Sequence, residues 1–272
     1  MLFKQSLSII DTMGQIESAE HPKLKVFHLN TFHAGRAAGL YNEILDFIYR
    51  EKPDVILLQE VFEESLEGFG NALNGQLLFS QKCHISLNEN EEPKAWGVAI
   101  GFRHKLINSS EDFYFGTRNT SNDLLLNVLN VRGAQPPASA LLQARIEIGS
   151  ERFNFGTTHF PWVKGAEPSE EQLKAFKRLD EIFNKTPDLI FTGDLNSPRG
   201  YRIFDSIAGR FRDNIPADVR TTMDTKVRPE ATWEYVVDGF FTSEHYQVKY
   251  VRMVQGLSDH QGILGKVQKA AI

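Results

Sequence analysis

One cysteine in 272 residues, Cys83, leaves no partner for an internal disulfide. Such thiol poverty fits a reducing compartment, so a cytoplasmic protein is expected. No stretch of about 18 consecutive apolar residues occurs, and no membrane-spanning helix is expected. Met1 to Glu20 lack the apolar centre and small-residue cleavage site of a secretory signal. Basic runs are missing too, with a net charge of −5 and a pI near 5.9. A protein that grips duplex nucleic acid regardless of sequence usually carries a basic surface, so this class is disfavoured. The chain has no GxxxxGK[ST] run and no GxGxxG run, which leaves nucleoside triphosphate loops and dinucleotide fingerprints unsupported. It has no HExxH pair and no cysteine cluster, which makes zinc a poor reading. Repeats and low-complexity linkers are also absent.

What is present is an ordinary globular composition, 41% hydrophobic and 24% charged. Apolar runs rich in β-branched and aromatic residues recur along the chain. They predict strands at Lys25–Asn30, Asp54–Gln59, Gln76–His84, Trp96–Phe102, Leu124–Arg132, Leu141–Ile148, Arg152–His159, Asp188–Thr192, Tyr235–Thr242, Gln247–Met253 and Gly262–Val267. Gly149-Ser150 reads as a hairpin turn. Helical spacing predicts Leu40–Glu51, which stops before Pro53, and Ser169–Asn184, where Ser169 and Gln172 form a capping box. Ser65–Leu73 and Tyr201–Ala208 are shorter helical candidates, and Thr117–Asn122, Gln135–Pro137 and Arg210–Pro229 read as connections. Many strands with few amphipathic helices predict one α/β domain of two packed sheets with helices outside. Residues 1–22 are expected to be an N-terminal extension and residues 23–272 the single domain.

Several apolar strands end in a residue of catalytic type. Val26-Phe27-His28-Leu29 ends at Asn30, Val55 to Gln59 at Glu60, and Phe153 to Thr158 at His159. Leu189 to Gly193 ends at Asp194-Leu195-Asn196, Tyr235-Val236-Val237 leads to Asp238, and Ser258-Asp259-His260 precedes the last strand. A carboxylate at the exit of a buried strand needs a countercharge or solvent. If these ends converge, Glu60, Asp194, Asp238 and Asp259 crowd one pocket and raise one another's pKa. A hard divalent cation relieves that conflict, and carboxylate and amide oxygens suit magnesium, with manganese as an alternative. His260 titrates near neutral pH and could stabilise a phosphoryl oxygen or protonate a leaving group, with Asp238 to orient it. Asp194 and Asn196, two apart on an extended segment, face one way; one could take a proton from water while the other holds that water or a phosphate oxygen.

In this order, Asn30, the Leu-Gln-Glu-Val run through Glu60, Thr158-His159, Gly193-Asp194-Leu195-Asn196-Ser197 and Ser258-Asp259-His260 resemble the endonuclease/exonuclease/phosphatase superfamily. The group includes DNase I, abasic-site endonucleases, deadenylases, sphingomyelinases and inositol polyphosphate phosphatases. The resemblance implies a four-layer α/β sandwich, two mixed sheets flanked by helices. It implies magnesium held chiefly by Glu60 with help from Asn30 and Asp259. Asp194 then activates or orients the attacking water beside Asn196, while His260, paired to Asp238, and His159 contact the scissile phosphate. One departure is Phe160-Pro161-Trp162 after His159, where a leucine often follows the histidine.

Arg103, Asn119, Asn122 and Trp162 are candidates to reach the substrate, and Trp162 and Trp233 could stack a base or simply pack. His21, His28, His33, His84, His104 and His245 read as structural or surface residues. The expected activity is phosphoester hydrolysis by in-line attack of water, first on nucleic acid or nucleotides. A phosphatase or phospholipase-type enzyme on a small or lipid substrate is the alternative, and removal of adducts from DNA ends is also open. A catalytically silent binding scaffold would typically lack Glu60 or His260, and both are present. The protein is expected to act as a monomer.

Overall fold

The computed structural model describes residues 21–87, 90–117, 123–125 and 138–271. They form two mixed sheets packed face to face, with two helices on the outside of each. The seven-stranded sheet runs in the order β12 (Tyr246–Val254), β13 (Gly262–Lys269), β1 (Leu24–Asn30), β2 (Val55–Phe62), β4 (Lys94–Phe102), β3 (Gln76–Ser86) and β6 (Asp123–Leu125). The six-stranded sheet runs β10 (Arg212–Asp213), β11 (Asp238–Thr242), β9 (Ile190–Asp194), β8 (Glu151–His159), β7 (Ser139–Ile148) and β5 (Lys105–Phe115). Among the described residues only the β1–β2, β3–β6 and β8–β9 pairs are parallel.

The alternation of side chains along β1 and β2 explains the layering. Val26, Val55 and Leu57 face the six-stranded sheet, where Leu142, Phe155, Ile190 and Phe240 meet them in a continuous core. Phe27, Leu29, Ile56 and Leu58 face outward and are covered by Ile44, Phe47 and Ile48 of α1 (Tyr41–Glu51) and Phe69 and Leu73 of α2 (Leu66–Leu73). On the far side, Leu179 and Phe183 of α3 (Glu170–Lys185) and Phe204 and Ile207 of α4 (Arg202–Arg210) join the core of the six-stranded sheet. The capping box at Ser169 and Gln172 is present. Each sheet therefore buries both faces, which is why its strands read as near-continuous apolar runs.

Two strands, β5 and β10, have no counterpart in the sequence reading. β5 is not among the predicted strands, because Asn108-Ser109-Ser110-Glu111-Asp112 has no apolar run; it is an edge strand laid on β7, and its exposed middle suits that position. β10 is a two-residue pairing inside the segment read as a connection. The expected strand at Tyr235 begins at Asp238. Of Leu124–Arg132, only the strand Asp123–Leu125 is described; the remainder, Gln135–Pro137 and all but His21 and Pro22 of the expected extension lie outside the described residues. Among the described residues no helix is long and apolar enough to cross a membrane.

Candidate active site

The two sheets meet along one edge where β1, β2, β8 and β9 all end. The parallel pairing of β1 with β2 sets Asn30 opposite Gln59, and that of β8 with β9 sets His159 opposite Asp194. Antiparallel β11 brings Asp238 opposite Asp194. A period of two along β1 turns Val26, His28 and Asn30 to the inner face. The same period would send Gln59 and Glu60 to opposite faces. A register shift in the β2–β4 pairing between Leu58 and Val61, with Glu60 at φ 58°, removes that conflict. Gln59 can then donate to Thr157 Oγ1 across the sheets at 2.8 Å while Glu60 lies beside Asn30.

Asn30 is the hinge of the carboxylate cluster. Its Nδ2 donates to Asp194 Oδ2 at 2.9 Å and to Glu60 Oε1 at 3.3 Å, and its Oδ1 accepts from Phe32 N–H at 3.1 Å. In this arrangement Asn30 offers its nitrogen, not its oxygen, to the cluster, and so orients Glu60 and Asp194. His159 Nε2 stands 3.6 Å from Asp194 Oδ2 and 4.0 Å from Glu60 Oε1. Its carbonyl accepts from Lys82 Nζ at 2.7 Å and Ser139 Oγ at 2.9 Å. Asn196 N–H donates to Asp194 Oδ1 at 2.9 Å, and its side-chain amide donates to the Phe160 carbonyl at 3.0 Å.

On the other side, His260 Nδ1 and Asp238 Oδ2 are 2.8 Å apart, and His260 Nε2 points toward Asp194 Oδ2 at 3.9 Å. The second Asp238 oxygen is 3.1 Å from His28 Nε2. Gln59 Nε2, a donor, approaches His28 Nδ1 at 3.5 Å, so the proton of His28 belongs on Nε2, which donates to Asp238. Asp259 lies next to His260, with Ser258 Oγ at 3.3 Å from one oxygen and Arg228 Nη1 at 3.4 Å from the other.

These contacts split the charge states of similar groups. Burial pushes the Asp194 carboxyl up to about 7, against the pull of His260. Burial also raises Asp259, with Glu60 adding to it. Asp238 is equally buried, but His260 and His28 outweigh that and hold it well below the usual carboxylate range. Burial opposes charge on His260, yet Asp238, Asp194 and Asp259 hold its pKa well above 6.5. His159 is driven well below 6.5 by burial and by Lys82 and His260 nearby. At neutral pH His260 is thus an imidazolium and His159 a neutral imidazole. Burial also brings Lys82 down to about 8.

A cation-sized demand is visible in the same place. Glu60 Oε2 is buried and has no hydrogen-bond partner among the described residues. The nearby donors are carboxylate oxygens, the set that a hard divalent ion prefers, so the residues fit such an ion. Among the described residues no three His, Cys, Asp or Glu side chains already converge at metal distance, and water would complete the sphere, as magnesium commonly allows.

Of the sequence candidates, Asn30, Glu60, His159, Asp194, Asn196, Asp238, Asp259 and His260 share this edge. Arg103 does not. It pairs with Asp54 at 2.9 Å and donates to the Lys52 carbonyl at 3.0 Å, at the start of β2 rather than its end, because β2 and β4 are antiparallel. Trp162 follows His159 by three residues and is 64% exposed. Asn119 and Asn122 lie outside the described residues. The sequence reads His28 and His33 as structural or surface residues and does not single out Lys82 or Trp96, whose ring centroid lies 5.5 Å from that of His159. His28 was within reach, since it precedes Asn30 by two on the same face; the others owe their place to a turn and to a register shift in β3 between Gln81 and Cys83.

The profile of the endonuclease/exonuclease/phosphatase family matches residues 28–260. No curated protein sequence matches the chain. Among solved structures, the human Nocturnin catalytic domain with bound sulfate is 18% identical, with a TM-score of 0.67, covering 92% of this chain and 96% of that one. The Bacteroides thetaiotaomicron mannosyl-6-phosphatase is 15% identical, with a TM-score of 0.62, covering 91% and 100%. The D. rerio TDP2 complexed with single strand DNA product is 16% identical, with a TM-score of 0.61, covering 90% and 99%. At these identities the likeness speaks to fold alone.

Proposed function

The chain belongs to the endonuclease/exonuclease/phosphatase family, and from that premise we propose that it hydrolyses phosphoesters with a divalent metal ion, by in-line attack of water. The observation that carries the reading is the pairing of a carboxylate poised near neutrality, Asp194, with an imidazolium, His260, beside the unpartnered oxygen of Glu60. Magnesium or manganese would be held by Glu60, with Asn30 and Asp259 as supporting residues. Once bound, the ion would supply Lewis-acid polarisation of a phosphoryl oxygen.

The chain's own groups divide the remaining work. Asp194, fixed by Asn30 and the Asn196 N–H, receives a proton from the attacking water. His260, held by Asp238, donates through Nε2 to a phosphoryl oxygen as charge develops there. His159, neutral and with its backbone pinned by Lys82 and Ser139, is a second contact for the phosphoryl group.

For substrate, we favour a nucleic acid or nucleotide phosphodiester. Trp233 is 39% exposed, the Arg228 guanidinium lies 5.5 Å from its ring, and Arg228 also reaches Asp259, so an aromatic face and a cation flank the pocket. The net charge of −5 favours the alternative, a small phosphorylated substrate such as a sugar or inositol phosphate. Turnover of single-stranded DNA, RNA, abasic duplex, bis-p-nitrophenyl phosphate, inositol phosphates and a sugar phosphate, measured side by side, separates them. The proposal expects nucleic acid to lead the panel. Faster turnover of monoesters would replace the substrate assignment, and failure of every phosphoester despite metal binding would favour a binding scaffold.

A further inference from the structure

His33 sits in a turn that is left-handed for four residues running. Phe32, His33 and Ala34 have φ of 48°, 60° and 56°, and Gly35 follows at 73°. Each non-glycine residue in that region is strained, because its Cβ crowds the following carbonyl oxygen. Such a run persists only where its surroundings over-determine it. Here those surroundings are the backbone at Glu60. Ala34 N–H donates to the Glu60 carbonyl at 2.8 Å, and the Thr31 hydroxyl lies 2.8 Å from the Gln59 carbonyl and 3.0 Å from that of Glu60. The turn is anchored on Glu60, and the side chain it delivers there is the His33 imidazole.

His33 Nδ1 lies 3.2 Å from Glu60 Oε2. The two atoms are not in hydrogen-bonding geometry, and neither has a hydrogen-bond partner among the described residues, although both are buried. A protonated His33 paired to Glu60 would aim its N–H at the carboxylate, and this ring does not. The spacing suits a shared cation instead. Two ligands each about 2.1 Å from one metal are about 3.0 Å apart in octahedral geometry and about 3.4 Å apart in tetrahedral geometry. The other Glu60 oxygen is held by Asn30, so only Oε2 is free to act with His33. Phe32 and Trp96, with ring centroids 5.4 and 5.8 Å from that of His33, flank the imidazole.

We propose that His33 Nδ1 is a protein ligand to the divalent ion, acting with Glu60 Oε2. This rests on the metal-dependent reading above and deepens it. An imidazole among oxygen donors shifts preference away from magnesium toward manganese and later first-row ions.

The test is pulsed EPR of the full chain loaded with manganese(II), where a directly bound imidazole gives a nitrogen hyperfine coupling. Wild type and His159→Ala should both show it. His33→Asn should lose it and bind manganese about tenfold more weakly by titration, with magnesium affinity changed much less. Asparagine tolerates the left-handed backbone, so this variant keeps the turn; His33→Ala serves as the second variant, with thermal melting to verify that it is folded. Manganese bound without nitrogen coupling in wild type, or coupling retained in His33→Asn, overturns the inference and leaves metal-dependent hydrolysis standing. No manganese binding by wild type overturns both.

Discussion

Asp238 has two histidines on one fully buried carboxylate, so its replacement is costly. His260 takes one oxygen and His28 the other, at 2.8 and 3.1 Å. Asp238→Asn would leave the His260 imidazolium without its countercharge, and removing one member of a buried pair costs about 3–5 kcal/mol. Denaturant unfolding at neutral pH should register a loss of that order. His260→Ala should reduce kcat by about 10²–10³-fold, the usual effect of losing one preorganised donor to developing charge. Asp194 gives a pH signature. Its folded pKa of about 7 exceeds the unfolded value of about 4, so the folded protein holds this proton more tightly than the unfolded chain. The resulting stability is fully present below about pH 4 and is lost as pH rises through about 7. In EDTA, Asp194→Asn should therefore gain stability relative to wild type, on the order of 2–4 kcal/mol, between about pH 4 and pH 8. A difference that stays flat with pH would contradict this assignment.

At the scale of elements, two substitutions separate stability from site geometry. Ser169→Ala removes the N-cap of α3 and should cost about 1 kcal/mol, with kcat unchanged, because α3 lies outside the sheet. Gly193→Ala acts differently. Its Cβ would come within 2.5 Å of the Thr158 carbonyl and force β9 away from β8, where His159 faces Asp194. It should destabilise by about 1–3 kcal/mol and lower kcat as well, a combination readable from melting and steady-state kinetics together. The same distinction governs what was legible in the sequence. α1 and α3 announce themselves by helical spacing, and β2 and β9 by apolar runs, since those patterns follow from burial. β5 carries no such pattern, because an edge strand needs only its neighbour's backbone. Asn30, Asp194 and His260 could be read from strand ends and family order. His33 and Lys82 could not, because a left-handed turn and a register shift bring them in, and neither has a periodic signature. Arg103 shows the converse hazard: it follows a strand as His159 does, but at the opposite end of the sheet.

For the whole molecule, the pocket is also a seam. Gln59 to Thr157, Asn30 to Asp194 and His28 to Asp238 are polar links between the two sheets, and they cluster where the carboxylates crowd. A cation bound beside Glu60 binds the folded state alone and should stabilise it by about 2.7 kcal/mol at a hundredfold excess over its Kd. The melting temperature should rise on adding magnesium or manganese to the wild type, and this rise should vanish in Glu60→Gln. The central claim, that these converging strand ends make a metal-dependent phosphoester hydrolase, is tested most directly by one rate measurement. That measurement is hydrolysis of the best phosphoester substrate by wild type and Glu60→Gln, each with magnesium and with EDTA. Turnover is expected only for wild type with metal, with Glu60→Gln down by at least about 10³-fold; equal turnover by wild type in EDTA would overturn metal dependence.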